Sequence, residues 1–166
     1  MCIRDRYPGM CIFEGTNLSE GRGNTKPFEF FGAPYIKDAE TFARQLNSHN
    51  LPGVFFREAY YQPTFDKWKG EVVAGAQIHV LDRVKFKPYL TALGILKTSL
   101  EYKKAGFKYL PPPYEYEYEK LPIDILLRDI KLRKMIESGK SLKEIEKSWQ
   151  PDLKKFLSKR KEYLLY

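Results

Sequence analysis

A long polar, glycine-rich stretch, Glu14–Phe28, constrains this chain more than any other feature. It follows a short apolar run, Met10–Phe13, which predicts a β-strand that starts at the turn pair Pro8-Gly9. Beyond Phe13 neither the two-residue period of a strand nor the period of an amphipathic helix continues. The chain must therefore carry an extended irregular loop, either as ordinary surface turn chemistry or as the wall of a pocket.

The side chains of this loop favour a pocket that binds a polar ligand. Glu14 supplies a carboxylate, Arg22 a guanidinium, Asn17 an amide, and Ser19 and Thr25 hydroxyl groups. Glycines between them let a ligand approach the main chain closely. The spacing matches neither of the glycine-rich phosphate loops, because no Gly-Lys-Ser/Thr closes it and no helical pattern follows at once. A nucleotide site is therefore not indicated.

Several short motifs of the chain match one bacterial enzyme family. They are Phe13–Asn17, Ser19–Gly23, Thr25–Phe28, Phe31–Tyr35, Gly75–Val80, Leu121–Asp124 and Tyr163–Tyr166. The sequence from Tyr7 to the C-terminus resembles the C-terminal part of the NamZ-type exo-β-N-acetylmuramidases, once catalogued as a domain of unknown function. Asn24 departs from the pattern, which more often has threonine or another small polar residue.

The resemblance implies a glycoside hydrolase of bacterial cell-wall degradation and muropeptide recycling, which releases N-acetylmuramic acid from non-reducing ends of peptidoglycan fragments. It places the active site in a cleft between an N-terminal Rossmann-like domain and this one. We expect no cofactor, and we expect no metal because no Cys/His cluster has metal-ligand spacing. The main catalytic glutamate is expected in that other domain, with Glu14 as the candidate here. Arg22 would read the lactyl carboxylate, because guanidinium binds carboxylates bidentately. The substrate-binding residues expected are Glu14, Asn17, Ser19, Arg22, Thr25, Gln77 and His79.

The start of the chain does not fit the family. We interpret residues 1–6 as a non-native lead and exclude them from fold reasoning, and we interpret 7–166 as the C-terminal domain of a longer protein. The partners expected are a peptidoglycan-derived saccharide and the chain's own N-terminal domain. The full-length protein is expected to be secreted or periplasmic, although no signal peptide opens this sequence.

The composition of the chain argues against several other classes of protein. The chain has 166 residues, of which 43% are hydrophobic, so it can bury a core and is not disordered. No apolar run is long enough to span a bilayer, and two cysteines near the N-terminus make no disulfide framework. The net charge of +8 permits nucleic-acid binding, but the C-terminal lysines fall on outward helix faces, so we expect no nucleic-acid partner. A non-catalytic saccharide-binding or interaction domain is the main alternative to an enzyme half.

The sequence pattern in the middle of the chain predicts strands that alternate with helices. Asp38 is expected to cap a helix over Ala39–Asn47, after a turn at Gly32–Pro34. Strands are predicted at Val54–Tyr60 and Val73–Leu81, the second with Gln77 and His79 on one face. A helix with a buried stripe should follow Pro88. This buried stripe predicts packing in the hydrophobic core and does not indicate a function.

The C-terminal part predicts helices. The alternation over Tyr114–Glu119 favours an edge strand or extended arm whose tyrosines cover the core, with a sugar-stacking platform as the alternative. A short helix begins at Pro122, where Asp124 either caps it or points into the cleft, and another covers Ile130–Ser138. Ser141–Glu144 is a capping box, and a last helix after Pro151 should turn Leu153, Phe156 and Leu157 inward. The predicted class is α+β, a mixed sheet or barrel-like core of short strands with flanking helices and a helical C-terminus.

Overall fold

A three-stranded antiparallel sheet organises the computed structural model, which describes residues 3–164. The strands are β1 (Phe30–Ala33), β2 (Val54–Tyr61) and β3 (Val73–Val80), and β3 lies between the other two. Side chains alternate across a strand, so one face carries the buried Phe31, Phe56 and Ile78. The other face carries polar residues, including Gln77 and His79 of β3.

The described chain has six α-helices, and the last three of them form its C-terminal part. They are α1 (Tyr7–Met10), α2 (Ala39–Ser48), α3 (Pro88–Leu100), α4 (Pro122–Leu127), α5 (Ile130–Glu137) and α6 (Leu142–Arg160). Short 3₁₀ helices cover Ile3–Asp5, Cys11–Gly15, Lys103–Ala105 and Lys161–Tyr163. The α+β class with flanking helices and a helical C-terminus is confirmed. No described helix is long and apolar enough to cross a membrane.

Local signals explain where two of these helices begin. The Asp38 side chain accepts a hydrogen bond from the Thr41 backbone N–H at 3.1 Å, as predicted for an N-cap. Ser141 and Glu144 form the predicted reciprocal capping box, in which each side chain bonds the backbone N–H of the other. The α2 helix then packs on the sheet through Phe42, whose ring lies 6.0 Å from that of Phe31 in an edge-to-face contact.

The prediction of a strand over Met10–Phe13 is wrong. The structure forms α1 and then the 3₁₀ helix Cys11–Gly15 in this segment. Met10, Ile12 and Phe13 are all nearly fully buried. A short run that is buried on every side has no period that separates a strand from a helical turn.

The turn predicted at Gly32–Pro34 begins later than expected. Phe30–Ala33 forms strand β1, and Gly32 pairs with Gly75 of β3. Glycine and proline in close succession indicated a turn, but the strand continues through Gly32, and Pro34 follows its end.

The tyrosine-rich segment does not form an edge strand that covers the core. Tyr114 and Glu117 exchange backbone hydrogen bonds, so the chain closes into a tight turn. Tyr116 is 93% exposed and Tyr118 is 71% exposed. Alternating tyrosines and glutamates point to opposite faces only in an extended backbone, and the backbone of this segment turns instead. A sugar-stacking role for the exposed rings stays a prediction.

The last helix is also different from the prediction. Pro151 lies inside α6, which runs without a break from Leu142 to Arg160. The apolar side chains beyond Pro151 point to solvent. We call these residues the α6 apolar face: Leu153, Phe156 and Leu157, which are 39%, 61% and 43% exposed. Helical spacing indicates that three apolar residues share a face, but not that the chain supplies a surface to cover it.

Arg6 belongs to the fold, although it lies in the lead that the predicted domain leaves out. Its side chain is 2% exposed, donates to the Ile78 carbonyl oxygen at 3.2 Å, and lies 3.5 Å from the Glu29 carboxylate. Met1 and Cys2, like the last two residues of the Tyr163–Tyr166 motif, lie outside the described residues. The non-native origin of the lead stays a prediction.

Candidate functional site

Glu14 is held between two donors at the end of the 3₁₀ helix Cys11–Gly15. Its Oε1 accepts from the Arg22 guanidinium at 2.6 Å, and its Oε2 accepts from the Tyr114 hydroxyl at 3.0 Å. Burial, and then the hydrogen bond to Glu14, raise the pKa of Tyr114 to about 12, so this hydroxyl stays a donor. The Glu14 side chain is 24% exposed. It is therefore an oriented carboxylate that solvent or a ligand can still reach.

Gly15 brings this carboxylate close to α4. A Cβ on Gly15 would lie 2.6 Å from the backbone nitrogen of Ile123, which is too short for any side chain. On the other side the Gly15 carbonyl accepts from the Leu110 N–H at 3.0 Å. Glu14 is thus placed by two segments that are far away in sequence.

Arg22 is bound to carboxylates of its own chain. Besides its bond to Glu14, its Nε donates to Glu20 Oε1 at 3.0 Å, and its guanidinium lies over the Phe28 ring at 5.1 Å. The hydrogen bond to Glu14 raises the pKa of Arg22. Positive φ angles at Gly21 and Gly23 let the backbone bend so that Arg22 can turn back toward these partners. Recognition of a substrate carboxylate by Arg22 stays a prediction.

Sequence reasoning missed the buried ion pair beneath Arg22. Glu20 is 2% exposed, and its Oε2 accepts from Lys67 Nζ at 2.8 Å. The same ammonium donates to the carbonyl oxygens of Phe13 at 2.8 Å and Leu18 at 3.3 Å. Lys67 lies in a segment without any period, so no sequence pattern could have paired it with Glu20. We call Glu14, Glu20, Arg22, Lys67 and Tyr114 the Glu14 cluster.

Two other residues predicted to bind substrate, Asn17 and Ser19, form hydrogen bonds that hold the loop. The Asn17 amide donates to the Gly106 carbonyl at 2.8 Å and accepts from the Lys108 N–H at 2.8 Å. Ser19 is buried, and its Oγ accepts from the Gly21 N–H at 3.1 Å. Thr25 is exposed in a turn. Their substrate contacts stay predictions.

Gln77 and His79 lie in a second polar group on β3. The Gln77 amide donates to Glu29 Oε1 at 2.6 Å and accepts from the Arg57 guanidinium. His79 Nε2 is buried and has no hydrogen-bond partner among residues 3–164. Burial, followed by the nearby Arg57, lowers the pKa of His79. We call Glu29, Arg57, Gln77 and His79 the Gln77 cluster.

The loop after Ser19 joins the two clusters. Glu20 accepts from the Phe28 N–H at 2.7 Å through its backbone oxygen, and Arg22 packs on the Phe28 ring. The next residue, Glu29, enters the Gln77 cluster. The structure therefore gathers Glu14 and Arg22 in one group and Gln77 and His79 in another, with one loop shared between them.

Asp124 neither caps α4 nor stands as a free carboxylate. Leu121 occupies the N-cap position, and Asp124 forms a two-point ion pair with Arg133, at 2.6 and 3.1 Å. Its side chain is only 7% exposed. Because Pro122 is the first helical residue, the N-cap position falls at Leu121, three residues before Asp124. In the described part of the chain, no group of three or more His, Cys, Asp or Glu side chains could hold a metal ion.

Comparison with solved structures shows a known fold. A DUF1343 family protein of Bacteroides fragilis, solved at 1.65 Å, superposes with a TM-score of 0.80 at 24% identity, over 98% of this chain and 41% of that one. A second such protein from the same organism, solved at 1.30 Å, gives a TM-score of 0.61 over 99% of this chain and 40% of that one. At this identity the likeness shows the fold alone.

Comparison of sequences shows the family. The peptidoglycan β-N-acetylmuramidase NamZ of Bacillus subtilis (strain 168) is 41% identical over 160 residues, which are 96% of this chain and 36% of that protein. The chain thus spans little more than a third of the length of this curated relative. The model of the family described as exo-β-N-acetylmuramidase NamZ, C-terminal, matches residues 6–166. The chain belongs to the NamZ C-terminal domain family.

Proposed function

We propose that this chain is the C-terminal half of an exo-β-N-acetylmuramidase and forms one wall of an active site between two domains. The observation that carries the proposal is Glu14, a partly exposed carboxylate oriented by Arg22 and Tyr114 in a chain of the NamZ C-terminal family. The substrate is a peptidoglycan fragment with N-acetylmuramic acid at its non-reducing end. Residues 6–166, which the family model matches and which include the buried Arg6, form the domain, and the partner is an N-terminal domain.

The chemistry requires groups from outside this chain. Glycosidases generally use two carboxyl groups that flank the scissile bond. Of the carboxylates around Arg22, Glu20 is buried, Asp66 lies 3.8 Å from Arg22 Nε at the exposed edge, and Glu14 is the partly exposed one that both Arg22 and Tyr114 orient. Asp124 is engaged by Arg133. The N-terminal domain supplies the main catalytic glutamate, while Glu14 orients the substrate or supports the developing charge.

A chimera tests this proposal. The chain replaces the corresponding C-terminal part of the B. subtilis relative, and both the chimera and the isolated 166-residue chain are assayed with a chromogenic N-acetylmuramide. We expect hydrolysis by the chimera and none by the isolated chain. Hydrolysis by the isolated chain, or a folded chimera without activity, contradicts the proposal.

One observation favours the second candidate, a non-catalytic saccharide-binding or interaction domain. The loop side chains Arg22, Asn17 and Ser19 already have partners within the chain. A loop of this kind can stabilise the fold without contacting substrate. Under this alternative the chimera binds the N-acetylmuramide, and replacing Glu14 with glutamine leaves the rate of its hydrolysis unchanged.

A further inference from the structure

The sheet face opposite the core carries four side chains of complementary chemistry next to one another. In the antiparallel register Phe55 of β2 pairs with His79 of β3, and Arg57 pairs with Gln77. Alternation along each strand places all four on the same face. Phe55 is 48% exposed, Arg57 is also exposed, and Gln77 is buried beneath them. We call these four residues the Arg57 face.

Arg57 carries a positive charge that no carboxylate of the described chain neutralises. Its guanidinium donates to the neutral Oε1 of Gln77 and forms no ion pair with a carboxylate among residues 3–164. Arg22 is different, since it binds both Glu14 and Glu20. A guanidinium that is held by a neutral amide keeps donors for an incoming anion.

The surroundings of Arg57 add positive rather than negative charge. The carboxylate of the Gln77 cluster, that of Glu29, accepts from the Gln77 amide at 2.6 Å and lies 3.5 Å from both Lys26 and Arg6. His79 Nε2 is buried without a partner among the described residues. An exposed cation that no carboxylate of the described residues pairs with suits a ligand that brings negative charge.

We propose that the Arg57 face binds a carboxylate-bearing saccharide, with Arg57 pairing with the carboxylate and Phe55 packing against the sugar ring. This inference rests on the proposed function, which supplies the ligand class, a lactyl ether of N-acetylglucosamine. It assigns recognition of the lactyl carboxylate to Arg57 instead of Arg22. The exposed ring of Phe55 supplies a flat apolar surface against which a sugar ring can pack.

The test is an NMR titration of the ¹⁵N-labelled 166-residue chain. The probes are N-acetylmuramic acid and its lactyl methyl ester, which differ only in the negative charge. The variants are Arg57→Gln and, as a matched control, Arg44→Gln, an exposed arginine of α2 whose guanidinium donates to the Thr41 hydroxyl at 2.9 Å. The backbone amides whose chemical shifts change on titration locate the site. The dependence of these changes on probe concentration gives Kd for each probe.

We expect shifts at residues 55–57 and 77–79, and a Kd for the acid about tenfold lower than for the ester, the lower range for a hydrogen bond to a charged group. Arg57→Gln should remove this preference, and Arg44→Gln should keep it. A preference that survives Arg57→Gln, or no shift on the Arg57 face with either probe, overturns the inference. Neither result decides the proposed function, because hydrolysis by the chimera is measured without these probes.

Discussion

Replacing Glu20 with glutamine removes one negative charge from the buried centre of the Glu14 cluster. The carboxylate accepts from Arg22 at 3.0 Å and from Lys67 at 2.8 Å while it is 2% exposed. Breaking a buried ion pair costs about 3–5 kcal/mol, because the remaining charge is left uncompensated. Arg22 keeps Glu14, and Lys67 keeps two backbone carbonyls, so the lower end applies. We expect Glu20→Gln to lower the free energy of unfolding by about 3 kcal/mol.

The assay is urea denaturation followed by circular dichroism, supported by a thermal scan. A loss of about 3 kcal/mol corresponds to a fall in Tm of roughly 6–12 °C for a domain of this size. Glu71→Gln is the matched control, since Glu71 is exposed, and it should change stability by less than about 0.5 kcal/mol. A double-mutant cycle with Lys67→Met should give a coupling energy of about 1.5–3 kcal/mol. A loss below about 1 kcal/mol for Glu20→Gln would refute the view that this pair holds the loop.

Three further predictions concern other parts of the fold. Burial lowers the pKa of His49 below its usual 6.5, so the unfolded state binds protons more readily and stability should fall as pH drops below that value. A ring titration by NMR should give a midpoint under 6.5, and His49→Gln, which ends its contact with Thr98, should flatten the pH dependence of stability. Gly15→Ala should cost about 1–3 kcal/mol by denaturation, since the new methyl group meets the backbone of Ile123. The α6 apolar face should bind a hydrophobic dye and promote self-association, and changing its three residues to glutamine should abolish both without lowering Tm.

The regular elements were the most predictable part of this chain. Asp38 marks the start of α2 because its cap is a local interaction, and the strands around Phe56 and Ile78 were indicated by β-branched and aromatic residues. The helical turns over Met10–Phe13 were not predictable, because burial on every side removes the sequence period that distinguishes a strand from a helix.

The candidate site was only partly predictable, for a related reason. The motif residues Glu14 and Arg22 were expected to bind a ligand, but their partners come from distant segments: Lys67 from the loop before β3 and Tyr114 from a turn beyond α3. Such partners depend on tertiary packing and leave no spacing in the sequence. Arg57 was overlooked because its position opposite Gln77 appears only once the register of the sheet is known.

The most direct test of the central claim is steady-state kinetics of the chimera with the N-acetylmuramide, comparing Glu14→Gln with Glu71→Gln. Because the proposed function places the Glu14 carboxylate, oriented by Arg22 and Tyr114, at the active site, its replacement should lower kcat/KM by about 100-fold or more, the range for a preorganised group that stabilises developing charge. Glu71→Gln should leave kcat/KM unchanged. If a folded Glu14→Gln chimera hydrolyses the substrate as fast as the unsubstituted chimera, Glu14 does not face the active site and the proposed function is contradicted.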